Sequence, residues 1–496
     1  MTGRHRTAAL VVVGLSLVAT LPTGVGATSD DIEQSFAAAR ADGDAVRMTV
    51  EYRLPDRVSE LTVRLPVAGA ANAEVVGLRG FSRANATTFT WTGVERPRIA
   101  VRVGADDDRV IAGEDWAFVV RPDVSVSYSY GGDQPGVTTT FAAAGEGYAA
   151  GPVAYLGPYR TASATADGER TVFVVAGSVE PVDLRNAREF LRLAPGRFDL
   201  GVRRDSTAAF VIPARDRSET GTRIAGAAVE TSFWVEPDAL AFRTTDTAFT
   251  HEYVHTRLGV LGSGSTRWLT EATAEYFGHA FALNSGAGDY EGFRGDLAAD
   301  RYAPSRNPVT LSEPATWRGT LANYEKGALV LAALDAEIRE RTDGRYALAD
   351  VFVRRPGPYP DHAAFRRAVV GTTGVASLGP WLDRYVTTDA LPPLPDDPAH
   401  FVYGPDLDPD GDGATSGTER RRGTNPFVAD ATTATARPDG TATPTSTATP
   451  TATPTATAAP DGTGTAAVGA GPGAPGAVAA LGVAALAGAL LARTRR

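Results

Sequence analysis

Apolar and polar residues alternate along residues 45–168, as in Val46-Arg47-Met48-Thr49-Val50-Glu51-Tyr52 and Leu61-Thr62-Val63-Arg64-Leu65. A period of two sends successive side chains to opposite faces of a strand, and Gly, Pro, Asn and Asp punctuate these runs. The pattern predicts an all-β N-terminal domain over residues 28–175. Near Pro181 the texture changes. Residues 183–194 carry apolar positions at helical spacing, 208–212 read as a short buried strand, and 224–235 as one further strand-like run. From Thr245 onward the helical period dominates, over 245–258, 266–283, 324–341 and a segment near 362–370. Strands followed by helices predict an α+β domain over residues 176–396.

Both ends read as addresses. Arg4-His5-Arg6 is a basic start, 8–19 are apolar, and the small residues Gly24, Gly26 and Ala27 follow, so 1–27 is expected to be a signal peptide. Residues 431–473 are Thr, Ala and Pro repeats such as Thr443-Pro444-Thr445. Such a run buries no core and reads as a disordered stalk of the kind that carries O-linked glycans. Residues 474–492 are almost wholly apolar, and Arg493, Arg495 and Arg496 end the chain. That predicts one C-terminal transmembrane helix over 474–496 with its basic tail inside, and the body anchored at the outer face of the membrane. Pro475-Gly476 before the span resembles an archaeal C-terminal sorting signal, with Ala477 where that signal has Phe. A plain anchor fits equally.

Composition narrows the classes. With 496 residues, two or three domains are expected, and 43% hydrophobic and 8% aromatic residues suffice for buried cores. A net charge of −10 without a basic cluster argues against nucleic acid as a partner. The chain has no cysteine, which excludes disulfides and thiolate chemistry. Lys326 is its one lysine, and the acid-rich, arginine-based composition resembles that of secreted proteins of halophilic archaea, a GC-rich bacterium being the other reading.

The candidate chemistry lies in His251-Glu252-Tyr253-Val254-His255. Residues four apart share a helix face, so His251 and His255 would aim two imidazoles at one point. Zn²⁺ accepts neutral imidazole and keeps a position open for water in catalytic sites, and Glu252 beside that water is the expected general base. A carboxylate on a following helix would complete the ligand set, and Trp268-Leu269-Thr270-Glu271-Ala272-Thr273-Ala274-Glu275-Tyr276 supplies Glu271. Glu275, one turn on, is expected to hydrogen-bond the far nitrogen of a ligand imidazole. His279, His362 and His400 are read as bystanders.

These segments, followed by Asn323-Tyr324-Glu325-Lys326-Gly327, resemble the gluzincin zinc metallopeptidases, with the M1 aminopeptidases and the M61 glycyl aminopeptidase-like group as the nearest look. The resemblance covers residues 180 to 345. It implies a thermolysin-like catalytic domain, a peptide or protein substrate, and Tyr324 as the residue that stabilises the tetrahedral oxyanion. In the strand where M1 enzymes carry a Gly-Ala-Met-Glu-Asn segment this chain has Ala225-Gly226-Ala227-Ala228-Val229-Glu230. Gly226 and Glu230 are therefore the substrate-binding candidates. Exopeptidase and endopeptidase both remain open, as does the oligomeric state.

A second ion is expected within residues 400–430. Asp408, Asp410, Asp412, Ala414, Ser416 and Glu419 fall at positions 1, 3, 5, 7, 9 and 12 of a D-x-D-x-D-G-x₅-E loop, with Gly413 at the sharp turn. That is the oxygen spacing of a Ca²⁺ loop. It resembles the loops of thrombospondin type 3 and dockerin-like repeats and would stiffen the junction between body and stalk. Two functions follow from these motifs: an anchored extracellular zinc peptidase, or an inactive peptidase-like surface glycoprotein of structural or adhesive role. The intact Glu252 favours the first.

Overall fold

The structure, a computed structural model, describes residues 30–430 except 106, 108, 215–224, 299–307 and 354–357. The predicted signal peptide, stalk and C-terminal span lie outside the described residues. Among the described residues no helix is long and apolar enough to cross a membrane.

The alternating pattern of the N-terminal half folds into β1 (Ile32–Arg40), β2 (Val46–Arg53), β3 (Val58–Arg64), β4 (Ala73–Arg79), β5 (Phe81–Arg83), β6 (Thr88–Trp91) and β7 (Arg98–Val103). Then come β8 (Val110–Ala112), β9 (Ala117–Val120), β10 (Ser125–Tyr130), β11 (Val137–Ala143), β12 (Gly147–Ala150) and β13 (Val153–Leu156). They form three sheets, ordered β11-β1-β2-β7-β4, β10-β3-β6-β5 and β12-β13-β9-β8. On β2 the residues Val46, Met48, Val50 and Tyr52 are buried and those between them face outward, as a period of two requires. The third sheet separates two cores. Ala117 and Val119 face the core of the β domain, whereas Phe118 and Val120 face the core of the next domain.

That next domain begins earlier than the sequence suggested. Its sheet, ordered β14-β15-β16-β18-β17, consists of β14 (Tyr159–Ala166), β15 (Glu169–Ala176), β16 (Ser206–Val211), β17 (Gly226–Val229) and β18 (Ser232–Val235). β15 pairs in parallel with β16 through the crossover helix α1 (Arg185–Arg197). The expected boundary at 175/176 therefore falls inside β15, at its last residue, and leaves β14 on the N-terminal side. β15 is buried on both faces, so periodicity alone does not say which domain owns it. The single run expected over 224–235 is a hairpin, with Val229 paired to Ser232 around Glu230-Thr231. No Gly or Asn marks that turn, and Glu230 takes the left-handed conformation at φ 53°.

The helices are α2 (Ala248–Leu258), α3 (Trp268–Asn284), α4 (Tyr290–Leu297), α5 (Ala322–Arg341), α6 (Leu348–Val353), α7 (His362–Thr373), α8 (Leu378–Val386) and α9 (Ser416–Arg422). Thr247 caps α2, its hydroxyl accepting from the Phe249 N–H, so the helix starts inside the span expected from 245. Phe249, Tyr253 and Val254 anchor α2 in the core against Phe190 and Phe233. The domain also ends later than residue 396. Phe401, Val402 and Tyr403 are core residues, and the Tyr403 hydroxyl donates to the buried Asp335 carboxylate at 2.6 Å.

Candidate metal centre

Helices α2 and α3 bring three ligand atoms together. His251 Nε2 lies 3.1 Å from His255 Nε2, and Glu271 Oε2 lies 3.2 Å from the His255 nitrogen and 3.5 Å from the His251 nitrogen. A tetrahedral cation with bonds of about 2.0–2.1 Å holds its ligand atoms about 3.3–3.4 Å apart. The triangle therefore matches Zn²⁺, and two imidazole nitrogens with a carboxylate are its customary donors. Close contact of the helices makes this possible. A Cβ on Gly278 of α3 would stand 3.2 Å from both the Cα and the backbone nitrogen of His251, tighter than ordinary van der Waals contact.

Glu275 lies behind the ligands, as its spacing predicts. Its Oε2 is 3.2 Å from His251 Nδ1, which fixes a proton on that nitrogen and turns the Nε2 lone pair toward the metal position. The other oxygen of Glu275 is 3.3 Å from His279 Nε2, and His279 Nδ1 meets the Thr245 hydroxyl at 3.1 Å. That hydroxyl donates to Asp296 of α4 at 3.2 Å. Sequence reasoning treated His279 as a bystander. It is not among the three converging ligands, but it buttresses the carboxylate that orients one. The signal was present: Glu275 and His279 are four residues apart on α3 and share a face. Thr245 and Asp296 carried no comparable signal, because only tertiary packing brings α4 there.

Burial is the largest influence on His251, Glu252, Glu271, Glu275 and Tyr324. His251 is nonetheless pushed well above its ordinary pKa, because its bonds to Glu271 and Glu275 outweigh burial. Against burial, His255 and His251 hold Glu271, and His251 and His279 hold Glu275, well below the usual carboxylate range. Glu252 behaves differently. It is 7% exposed, burial raises its pKa, and the nearby histidines offset this only in part. A raised pKa suits a carboxylate that must take and return a proton. The Ala228 N–H of the edge strand β17 donates to it.

Gly226 and Tyr324 flank this group. A Cβ at Gly226 would stand 2.9 Å from Glu252 Cγ, 3.2 Å from its Oε1 and 2.9 Å from the Trp234 carbonyl oxygen. Only glycine lets the strand lie this close to the carboxylate. Tyr324, on the first turn of α5, stacks on His251 at 6.0 Å between ring centres. Its hydroxyl bonds to Glu271, and burial together with the surrounding carboxylates raises its pKa, so it stays a protonated donor.

These groups open onto a cleft of about 910 Å³ lined by Gly226, Glu252, Leu321 and Tyr324 among others. Glu236, Asp238, Asp246 and Glu325 also line it, which makes it strongly acidic, with Arg243 as a cationic counterweight. Glu230 does not line it. The hairpin carries Glu230, expected to bind substrate, to an exposed turn, whereas Glu236 just after β18 is 3% exposed and does line the cleft. His362 pairs with Asp383 at 2.9 Å, apart from the centre.

The acidic loop assembles as well. Asp408, Asp410 and Asp412 offer oxygens within 4.8 Å of one another, and Asp412 shares a second such group with Glu419 and Asp430. Asp408 accepts from the Gly411 and Gly413 N–H groups at 2.9 and 3.0 Å, which shapes the turn. Burial and the neighbouring carboxylates push Glu419 up to about 7 and Asp410 up to about 6.

No family model matches the sequence, and no curated protein matches it. The structure neighbours are M1-type zinc aminopeptidases. An aminopeptidase N family protein from Idiomarina loihiensis superposes at a TM-score of 0.48 and 14% identity, over 74% of this chain and 76% of that one. A mutant M1 zinc metallopeptidase from Deinococcus radiodurans bound to a Tyr-Ser-Ala substrate does so at 0.47 and 15%, over 74% and 96%. Legionella pneumophila aminopeptidase A in complex with aspartic acid gives 0.45 and 11%, over 73% of this chain and 50% of its own.

Proposed function

We propose that this chain is a zinc-dependent peptidase acting outside the cell. The observation that carries the reading is the convergence of His251, His255 and Glu271 at tetrahedral spacing, with the buried Glu252 beside them. Zn²⁺, when bound, supplies Lewis acidity and lowers the pKa of water. The rest is the work of side chains. Glu252 takes a proton from the attacking water at its carboxylate and returns it to the leaving amine nitrogen. The Tyr324 hydroxyl, kept protonated by burial, leaves Glu271 and donates to the oxyanion of the tetrahedral adduct. Gly226 and the edge strand β17 hold the substrate backbone and keep Glu252 in place. Asp408, Asp410, Asp412, Ala414, Ser416 and Glu419 bind a structural Ca²⁺. The signal peptide and the C-terminal span place the body at the outer face of the membrane, on the Thr/Pro stalk.

The test is cleavage of a peptide library with free and with blocked amino termini by the purified, zinc-loaded chain. Hydrolysis that disappears in Glu252→Gln while one zinc per chain remains supports the reading. Absence of stoichiometric zinc, or cleavage unchanged in Glu252→Gln, overturns it. The ratio of free to blocked products assigns exo- or endopeptidase action.

A further inference from the structure

Glu419 is the most anomalous side chain outside the zinc centre. It is 0% exposed, and neither carboxylate oxygen has a hydrogen-bond partner. Ser416, also 0% exposed, leaves its hydroxyl unpartnered, and so does Asp410 at Oδ2. Burying a carboxylate without a partner is costly unless a cation meets it. All four of these atoms are oxygens, which selects a hard cation, and Ca²⁺ accepts six to eight oxygens in flexible geometry where Mg²⁺ prefers to keep its waters.

The twelve-residue motif does not account for everything at this point. Asp430 lies beyond it, yet its carboxylate is within 4.8 Å of Glu419 and Asp412 oxygens. Ligands on opposite sides of a calcium ion stand about 4.8 Å apart, twice a bond of about 2.4 Å. The Asp430 N–H also donates to Asp412 Oδ2 at 3.1 Å, which holds the segment in place. Segment 408–430 packs on the catalytic domain near both its ends. Phe427 stacks on Tyr290 of α4 at 5.7 Å, and the Pro409 carbonyl lies over Gly286, which follows α3.

We propose that Asp430 is a ligand of the same calcium ion, so that the ion clamps both ends of segment 408–430 and fastens the foot of the Thr/Pro run onto the catalytic domain. The inference rests on the calcium reading of the loop and is independent of peptidase activity. Asp430 is the last residue before the low-complexity sequence. An ion that includes it makes the whole strap, with Phe427, part of the folded body. An ion held by the motif alone would leave that junction to Phe427.

Calcium titration by calorimetry on the purified full chain, with Mg²⁺ as control, tests this in Asp430→Asn and Glu419→Gln. Wild type is expected to bind one Ca²⁺, and Asp430→Asn to bind it at least about tenfold more weakly, because affinity follows the number of charged ligands. Weakening of less than threefold overturns the role of Asp430 and leaves the twelve-residue loop intact. No calcium binding by wild type overturns the loop reading itself. Folding of the variants is checked by melting in EGTA. Glu419→Gln is expected to melt at or above wild type there, since it removes a buried unpartnered charge, and to gain nothing from calcium. A Glu419→Gln chain that calcium still stabilises as wild type counts against the site. Calcium is also expected to slow proteolytic cutting after Phe427 in wild type and not in Asp430→Asn.

Discussion

Replacing Gly226 by alanine tests whether the edge strand positions Glu252, the proposed general base. The added Cβ would meet Glu252 Cγ and the Trp234 carbonyl oxygen, each at 2.9 Å. Ordinary contact begins near 3.4 Å, so roughly 0.5 Å must be found at both places. The Trp234 oxygen belongs to the paired backbone of β18 and yields little, which leaves the Glu252 side chain to move. Misplacing a catalytic group by about 1 Å costs on the order of 100-fold, so a shift of half that size should lower kcat by about tenfold or more. Overpacking at a close contact costs roughly 1–3 kcal/mol of stability, part of it recovered because alanine stiffens the unfolded chain. No zinc ligand is touched, so metal content should stay at one per chain. The assay is kcat and KM on a cleaved peptide beside zinc analysis and thermal melting. A Gly226→Ala protein with wild-type kcat and full zinc would refute the positioning role, since the contact would then be soft.

The other expectations concern the remaining parts of the centre and the loop. Glu275→Gln should weaken zinc affinity by about 10–100-fold, because His251 loses the carboxylate that fixes its proton; competition with a chelator measures it. Tyr324→Phe should lower kcat by about 100-fold with little change in KM if the hydroxyl serves the oxyanion, and equal losses in both substrate binding and kcat would argue for a packing role instead. The proposed calcium loop should respond to pH with a definite sign. In the fold Glu419 and Asp410 lie at about 7 and about 6, above their ordinary 4.5 and 3.8. Without calcium these groups therefore favour folding below about 4 and lose that contribution as pH rises through 6 and 7. The melting difference between Glu419→Gln and wild type in EGTA should accordingly be larger at pH 8 than at pH 5. Calcium affinity should move the opposite way, falling as the carboxylates protonate.

Much of the candidate metal centre was legible because one helix encodes it. His251, Glu252 and His255 lie within a single turn and a half, and the helical period alone aligns them. Glu271 and Glu275 were legible for the same reason on α3. Tyr324 was reached only through its Tyr-Glu-Lys-Gly context, and the structure brings its ring onto His251. The acidic loop was legible because its oxygens alternate along one short stretch.

Residues joined across separate elements were not. Sequence could not show that Gly226 faces Glu252, that the Glu230 turn carries that side chain away, or that Glu236 takes a place on the cleft. It could not attach β15 to the catalytic sheet, since a strand buried on both faces carries no mark of its partner, and β14 follows only through its pairing with β15. It could not find Asp296 behind His279 or Asp430 beside Glu419. Local periodicity and spacing determine which side chains share a face, and those the chain itself declares. Which faces then meet depends on closing long loops around a common core, and that only the tertiary structure decided.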